Sequence, residues 1–140
     1  MSDRPFEIAT LDHLVLRVHD MDTMVAFYRD VIGCSLERTL AEFGLYQLRA
    51  GSALLDLVTL DGPIGRAGGA GPGMEGRNVD HFCLRIDPFD ADAIAAWLDA
   101  AGVAHEAPAT RYGAAGNGPS IYLRDPEANV VELKGPPEAR

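Results

Sequence analysis

Aspartate precedes histidine twice in this chain, at Asp12-His13 and Asp80-His81, and both pairs sit inside the same longer phrase. Leu11-Asp12-His13-Leu14-Val15-Leu16-Arg17-Val18 aligns with Val79-Asp80-His81-Phe82-Cys83-Leu84-Arg85-Ile86, with Asp, His, Leu and Arg recurring at identical spacing. Near the end of each copy a carboxylate interrupts an apolar run: Asp56 in Leu54-Leu55-Asp56-Leu57-Val58, and Glu132 in Val130-Val131-Glu132-Leu133-Lys134. Such a carboxylate needs a polar or cationic partner once buried. Two imidazoles and two carboxylates make a mixed N/O donor set for one first-row divalent ion, with positions left for water or substrate. Either histidine alone reads as an ordinary strand residue, and either pair alone as a record of duplication. The same residue types at equivalent places of both copies let a two-fold relation gather His13, Asp56, His81 and Glu132 at one metal.

The elements that must position these residues follow from periodicity. Alternate strand residues share a face, so His13, Val15 and Arg17 point one way and Leu14, Leu16 and Val18 the other. The second copy sets His81, Cys83 and Arg85 against Phe82, Leu84 and Ile86. The apolar faces are expected to pack on a helix, leaving His and Arg to look into a concavity. After each strand comes a helical stripe: residues 22–32, with Asp22 as N-cap and Gly33 as stop, and residues 90–101, ended by Gly102. Short β-favouring runs follow, at 34–40, 44–50 and 52–59 in the first copy and at 103–105, 120–123 and 130–134 in the second. The register of Tyr46, Gln47 and Arg49 stays open. Asp125-Pro126-Glu127-Ala128-Asn129 is a turn, with Asn129 suited to positive φ.

The fold class is therefore α+β, two βαβββ modules over 1–140: module one about 8–60, a Gly/Pro-rich linker about 61–77, and module two about 78–135. A second glycine-rich stretch, 106–119, reads as a lid or as slack. Phe27 and Trp97 read as helix or core residues. His19 falls at a turn, and His105 lies on a short strand of undetermined orientation, so neither stands out as a second acid/base.

Net charge is −9, with 21 acidic against 12 basic residues. That balance opposes binding to nucleic acid or anionic lipid. No apolar run reaches the ~20 residues of a membrane span, and the opening segment lacks the apolar centre of a secretory signal. A cytoplasmic location is the expectation. Cys34 and Cys83 read as free thiols, Cys83 as a small buried space-filler.

The phrases LDHLVLRVHDMDTMVAFYRDVIG, LLDLV, VDHFCLRI and IYLRDPEANVVELKG together resemble the vicinal oxygen chelate superfamily, which includes glyoxalase I, extradiol dioxygenases and bleomycin-resistance proteins. The resemblance covers almost the whole chain. It implies paired βαβββ modules forming a curved mixed sheet around a metal-binding cup, often within a homodimer. It also implies one divalent cation (Ni, Zn, Co, Fe or Mn) on His13, Asp56, His81 and Glu132. Glyoxalase I uses His, Glu, His and Glu, and Asp56 departs from that pattern. Arg17 falls where glyoxalase I has an arginine that helps hold a glutathione carboxylate, and Arg85 has the symmetric place, so both are substrate-binding candidates.

Three functions compete. A glyoxalase-like lyase or isomerase would use the metal as a Lewis acid toward vicinal oxygens of a small substrate, with Glu132 as catalytic base. The stretch from Arg111 to Pro126 looks more like small relatives of the ring-cleaving dioxygenases, in which His13, His81 and Glu132 would hold Fe(II) and Asp56 would be a bystander. The third is a metal-free drug-binding resistance protein, which has no need of the full donor set.

Overall fold

The computed structural model describes residues 3–138. Strand β1 (His13–Val18) leads into helix α1 (Met21–Ala26), which widens into a π-helical turn over Phe27–Ile32. Strands β2 (Ser35–Leu40), β3 (Leu45–Ala50) and β4 (Ala53–Thr59) complete module one. Module two runs β5 (Phe82–Arg85), α2 (Ala91–Ala100), β6 (Ala109–Gly113), β7 (Gly116–Arg124) and β8 (Val130–Lys134). The sheets have orders β1-β4-β3-β2 and β5-β8-β7-β6, so the sequence repeat is also a repeat of topology. They are two separate four-stranded sheets rather than one continuous curve. In each, the first strand lies parallel to the last, with Val15 opposite Asp56 and Cys83 opposite Glu132.

The alternation read from the sequence holds. Leu16 and Val18 are buried while His13 and Val15 are exposed, and Phe82 and Leu84 are partly covered while His81, Cys83 and Arg85 are exposed. One apolar cluster draws on both modules, including Val18, Met24, Tyr28, Leu48, Leu57, Leu98, Ile121 and Val131. Each large side chain so buried contributes about 1.5–3 kcal/mol relative to exposure. Polar contacts also cross between modules: the Glu127 carboxylate accepts from the backbone N–H of His19 and Asp20, and the Trp97 indole N–H donates to the Val31 carbonyl at 2.9 Å. Phe27 is buried, but Trp97 uses only its polar edge this way and is otherwise exposed.

Several local expectations change. The first helix is capped by Asp20, whose extended backbone and carboxylate facing Thr23 N start the helix earlier than Asp22 would; Asp22 instead sits in the first turn, where its charge suits the helix dipole. At the 125–129 turn the positive φ falls on Ala128. Asn129 is used instead as a donor, giving both its backbone N–H and its side-chain amide to Asp125. Residues 103–105 form no strand, only a bridge from His105 to Leu123.

Module two's edge strand comes instead from within the glycine-rich 106–119 stretch, which is a β-hairpin rather than a lid. Its glycines serve close approach rather than slack: a Cβ at Gly113 would lie 2.6 Å from Lys134 Cε. The linker, too, is folded down. Arg17 donates to the carbonyls of Gly65, Gly69 and Ala70, and a Cβ at Gly65 would collide with the Thr59 carbonyl.

Candidate functional site

His13 opens β1, and its Nδ1 lies 2.7 Å from the Asp12 carboxylate. His81 stands just before β5, its Nδ1 2.8 Å from Asp80. The repeated Asp-His phrase thus does the same thing twice: each aspartate occupies Nδ1 and leaves Nε2 as the nitrogen available to a ligand or to a neighbouring carboxylate. A carboxylate on the far nitrogen is the usual orienting partner of a metal-binding imidazole and raises its basicity. For His13 the Asp12 hydrogen bond, followed by burial opposing it and then by the Asp56 and Asp12 charges, leaves the imidazole pKa above its ordinary value.

Asp56 lies on the face of His13, one strand over, and is only 4% exposed. Gln47, its cross-strand neighbour on β3, donates from Nε2 to Oδ2 at 3.2 Å. That fixes the register left open by the sequence: Gln47 and Arg49 share the cup face, and Arg49 pairs there with Glu37 at 2.8 Å, while Leu48 faces the core. Asp56 Oδ1 is buried with no hydrogen-bond partner. An orphaned buried carboxylate oxygen beside an imidazole is what a cation would satisfy, so the residues fit the metal the donor set implies.

Glu132, equally buried, holds Oε1 3.4 Å from His81 Nε2. Tyr122, opposite it on β7, stacks its ring edge-on to His81 at 5.3 Å. Burial first, and then the Glu132 carboxylate, raise the Tyr122 hydroxyl pKa above its ordinary value. The Arg111 guanidinium lies 4.3 Å over the Tyr122 ring and donates to Ser120. A cavity of about 320 Å³ beside the pair is lined by His81, Cys83, Arg85, Glu132, Lys134 and the β6–β7 hairpin, all from module two.

The structure therefore brings the four expected donors together as two pairs, His13 with Asp56 and His81 with Glu132. Among the described residues no three His, Cys, Asp or Glu side chains gather as one metal group. Arg17 is committed to the linker carbonyls and not to the cup, whereas Arg85 faces the cavity. Cys83 is exposed on the cup side rather than buried as a filler. Cys34 is buried, and both thiols are free. His19 contacts the Pro72 carbonyl and His105 pairs with Asp99, each away from the donor pairs. The sequence did not single out Tyr122 or Lys134, and it offered Gln47 only as a residue whose register was open. Period-two counting from Glu132 would have placed Lys134 on its face, but Gln47 and Tyr122 needed the strand register.

No helix among the described residues is long and apolar enough to cross a membrane. The chain is 30% identical over 131 residues to the virulence protein STM3117 of Salmonella typhimurium, covering 90% of this chain and 83% of that protein. The crystal structure of that protein superposes with a TM-score of 0.75 over 94% of this chain and 99% of its own. Lactoylglutathione lyase from Agrobacterium tumefaciens superposes at 0.66 with 27% identity, covering 94% and 96% of the two chains. TnmS3, an antibiotic binding protein from Streptomyces, shares the fold at 0.69 and 24% identity over 94% and 98%. Residues 10–133 match the model of one family, and the chain belongs to it: the Glyoxalase/Bleomycin resistance protein/Dioxygenase superfamily.

Proposed function

We propose that the protein is a metal-dependent lyase or isomerase, similar in chemistry to lactoylglutathione lyase, acting on a small substrate with vicinal oxygens. The observation that carries this reading is the paired Asp-His arrangement, with Nδ1 of both His13 and His81 held by the preceding aspartate and a buried carboxylate beside each imidazole. A metal-free drug binder has no use for two imidazoles oriented this way. His13, Asp56, His81 and Glu132 would hold the ion, and a divalent cation there supplies Lewis acidity toward neighbouring oxygens.

The chain's own residues do the rest. Glu132 takes the proton next to the substrate carbonyl. Its carboxylate is kept in place by the β8 backbone and by Tyr122 opposite it. The Tyr122 hydroxyl, raised in pKa by burial and by Glu132, stays protonated and can donate to that carboxylate. Asp56 separates this reading from an Fe(II) dioxygenase, which needs three protein donors. Its unpartnered Oδ1 on the His13 face favours four.

Since no three donors gather among the described residues of one chain, the complete set is proposed to form across a homodimer, with module one of one copy facing module two of another. Val15, 42% exposed between His13 and Arg17 on the open face of β1, is the kind of apolar surface such a homodimer would cover. The test is metal analysis of the purified protein followed by assay with the methylglyoxal–glutathione hemithioacetal. Turnover in nickel-, cobalt- or zinc-loaded protein supports the substrate assignment, and its absence in all three sinks it. A chelator should also lower the melting temperature.

A further inference from the structure

The cup of module two holds two cations that the proposed chemistry leaves unused. Lys134 lies two residues beyond Glu132 on the same face of β8, directly opposite Arg85 on β5. The lysine is 7% exposed. Its ammonium donates to the Arg111 carbonyl at 2.7 Å, which occupies one of three donor positions. Among the described residues, no carboxylate lies within ion-pair distance of Lys134 or Arg85. Taking an ammonium out of water without a counter-charge is costly, and the expense persists only where something supplies the charge.

The surroundings are built to keep the lysine there. A Cβ at Gly113 would stand 2.6 Å from Lys134 Cε, and one at Gly118 would stand 3.0 Å from Nζ. Glycine on both hairpin strands leaves room for the long side chain beneath them. Lys134 and Arg85 then line the same cavity of about 320 Å³ as His81 and Glu132. Arg111, the arginine beside them, is spent on Ser120 and the Tyr122 ring. In a chain of net charge −9, this wall is positive against the overall trend.

We propose that Lys134 and Arg85 form an oxyanion subsite that takes the carboxylate or phosphonate end of the substrate while its reacting oxygens lie toward His81 and Glu132. The placement of the reacting end rests on the function proposed above; the anion subsite itself does not. An ammonium and a guanidinium fork together suit such a group, the fork giving paired N–H donors to its oxygens and the ammonium a compact point charge.

The experiment uses the full chain, stripped of metal and dialysed free of chelator, labelled with ¹⁵N and titrated at constant chloride with acetate and, separately, methylphosphonate. The expected result is saturable shifts of the Gly113, Gly118 and Arg85 amides with at least one of the two anions, the tighter one identifying the group. Affinity should fall by about tenfold in K134Q and in R85Q, the loss of one charged hydrogen bond. K134Q keeps a donor for the Arg111 carbonyl, and R85Q changes an exposed residue, so at least one folded variant is secured. No saturable shift at these amides with either anion, or wild-type affinity in both variants, overturns the subsite. Anion binding without turnover sinks the proposed substrate assignment alone, and turnover without anion binding overturns the subsite alone.

Discussion

Gln47 reaches across from β3 to hold one oxygen of Asp56 at 3.2 Å, and both residues are left with an unsatisfied buried oxygen, Gln47 Oε1 and Asp56 Oδ1. An unmet buried acceptor costs about 1–3 kcal/mol. Asp56→Asn converts one carboxylate oxygen into a donor, which lets the two amides pair reciprocally. The metal-free variant is therefore expected to melt a few degrees above the metal-free wild type. It should also lose most of the further rise that added nickel or zinc gives the wild type. Thermal melts with and without metal check both halves; a metal-free D56N that melts lower would show that the carboxylate is satisfied in some other way.

Tyr28 is fully buried in module one, yet its hydroxyl donates to Asp125 of module two at 2.6 Å. Asp125 also accepts from the N–H groups of Glu127 and Asn129 and from the Asn129 amide. Tyr28→Phe keeps the ring and its packing against Phe82 but removes a hydrogen bond to a buried carboxylate, at a cost of about 1.5–3 kcal/mol. Urea unfolding should show a lower midpoint with an unchanged slope. A changed slope would mean that the modules come apart separately, with this bond as part of what joins them.

His105 offers a titration away from the donor pairs. Its Nε2 lies 2.8 Å from Asp99 and its Nδ1 3.1 Å from the Glu106 carbonyl. The Asp99 hydrogen bond first, and then the Glu106 carbonyl, raise its pKa above the ordinary 6.5. A raised folded value means the interaction stabilises fully below the unfolded pKa and fades as pH rises through the folded one. NMR titration should place the His105 midpoint above 6.5 in the wild type and lower it in Asp99→Asn. The stability gap between the two proteins should close on the alkaline side; a gap that widens with pH would reverse the assigned sign.

Much of this arrangement was legible in the sequence because it depends on period-two alternation, which the backbone enforces wherever a strand forms. Knowing that His13 and Arg17 share a face, and that Asp56 and Glu132 interrupt apolar strands, required no structure. Where reading failed, tertiary context decided. The 106–119 stretch looks like loop because it is rich in glycine, yet Gly113 and Gly118 are there to admit the Lys134 side chain. Arg17 looked like a substrate ligand by position, and only the folded linker, with its carbonyls turned inward, shows how its guanidinium is used. The split of four donors into two pairs was likewise invisible, since strand order within each sheet does not determine which copy's sheet faces which.

That split leads to the most discriminating prediction. If module one of one copy meets module two of another, a dimer has two sites, each drawing His13 and Asp56 from one chain and His81 and Glu132 from its partner. His13→Ala and His81→Ala homodimers then each carry two broken sites. Mixed and allowed to exchange, half the dimers contain one chain of each kind. In those, one site carries both substitutions and the other carries neither. About a quarter of the wild-type number of tight metal sites, and of any activity, should therefore return on mixing two dead proteins. Sites built within single chains would give no recovery at any mixing ratio, because every chain would keep its own defect. Measuring bound metal per chain in the equilibrated mixture, against each variant alone, decides between the two architectures without knowing the substrate.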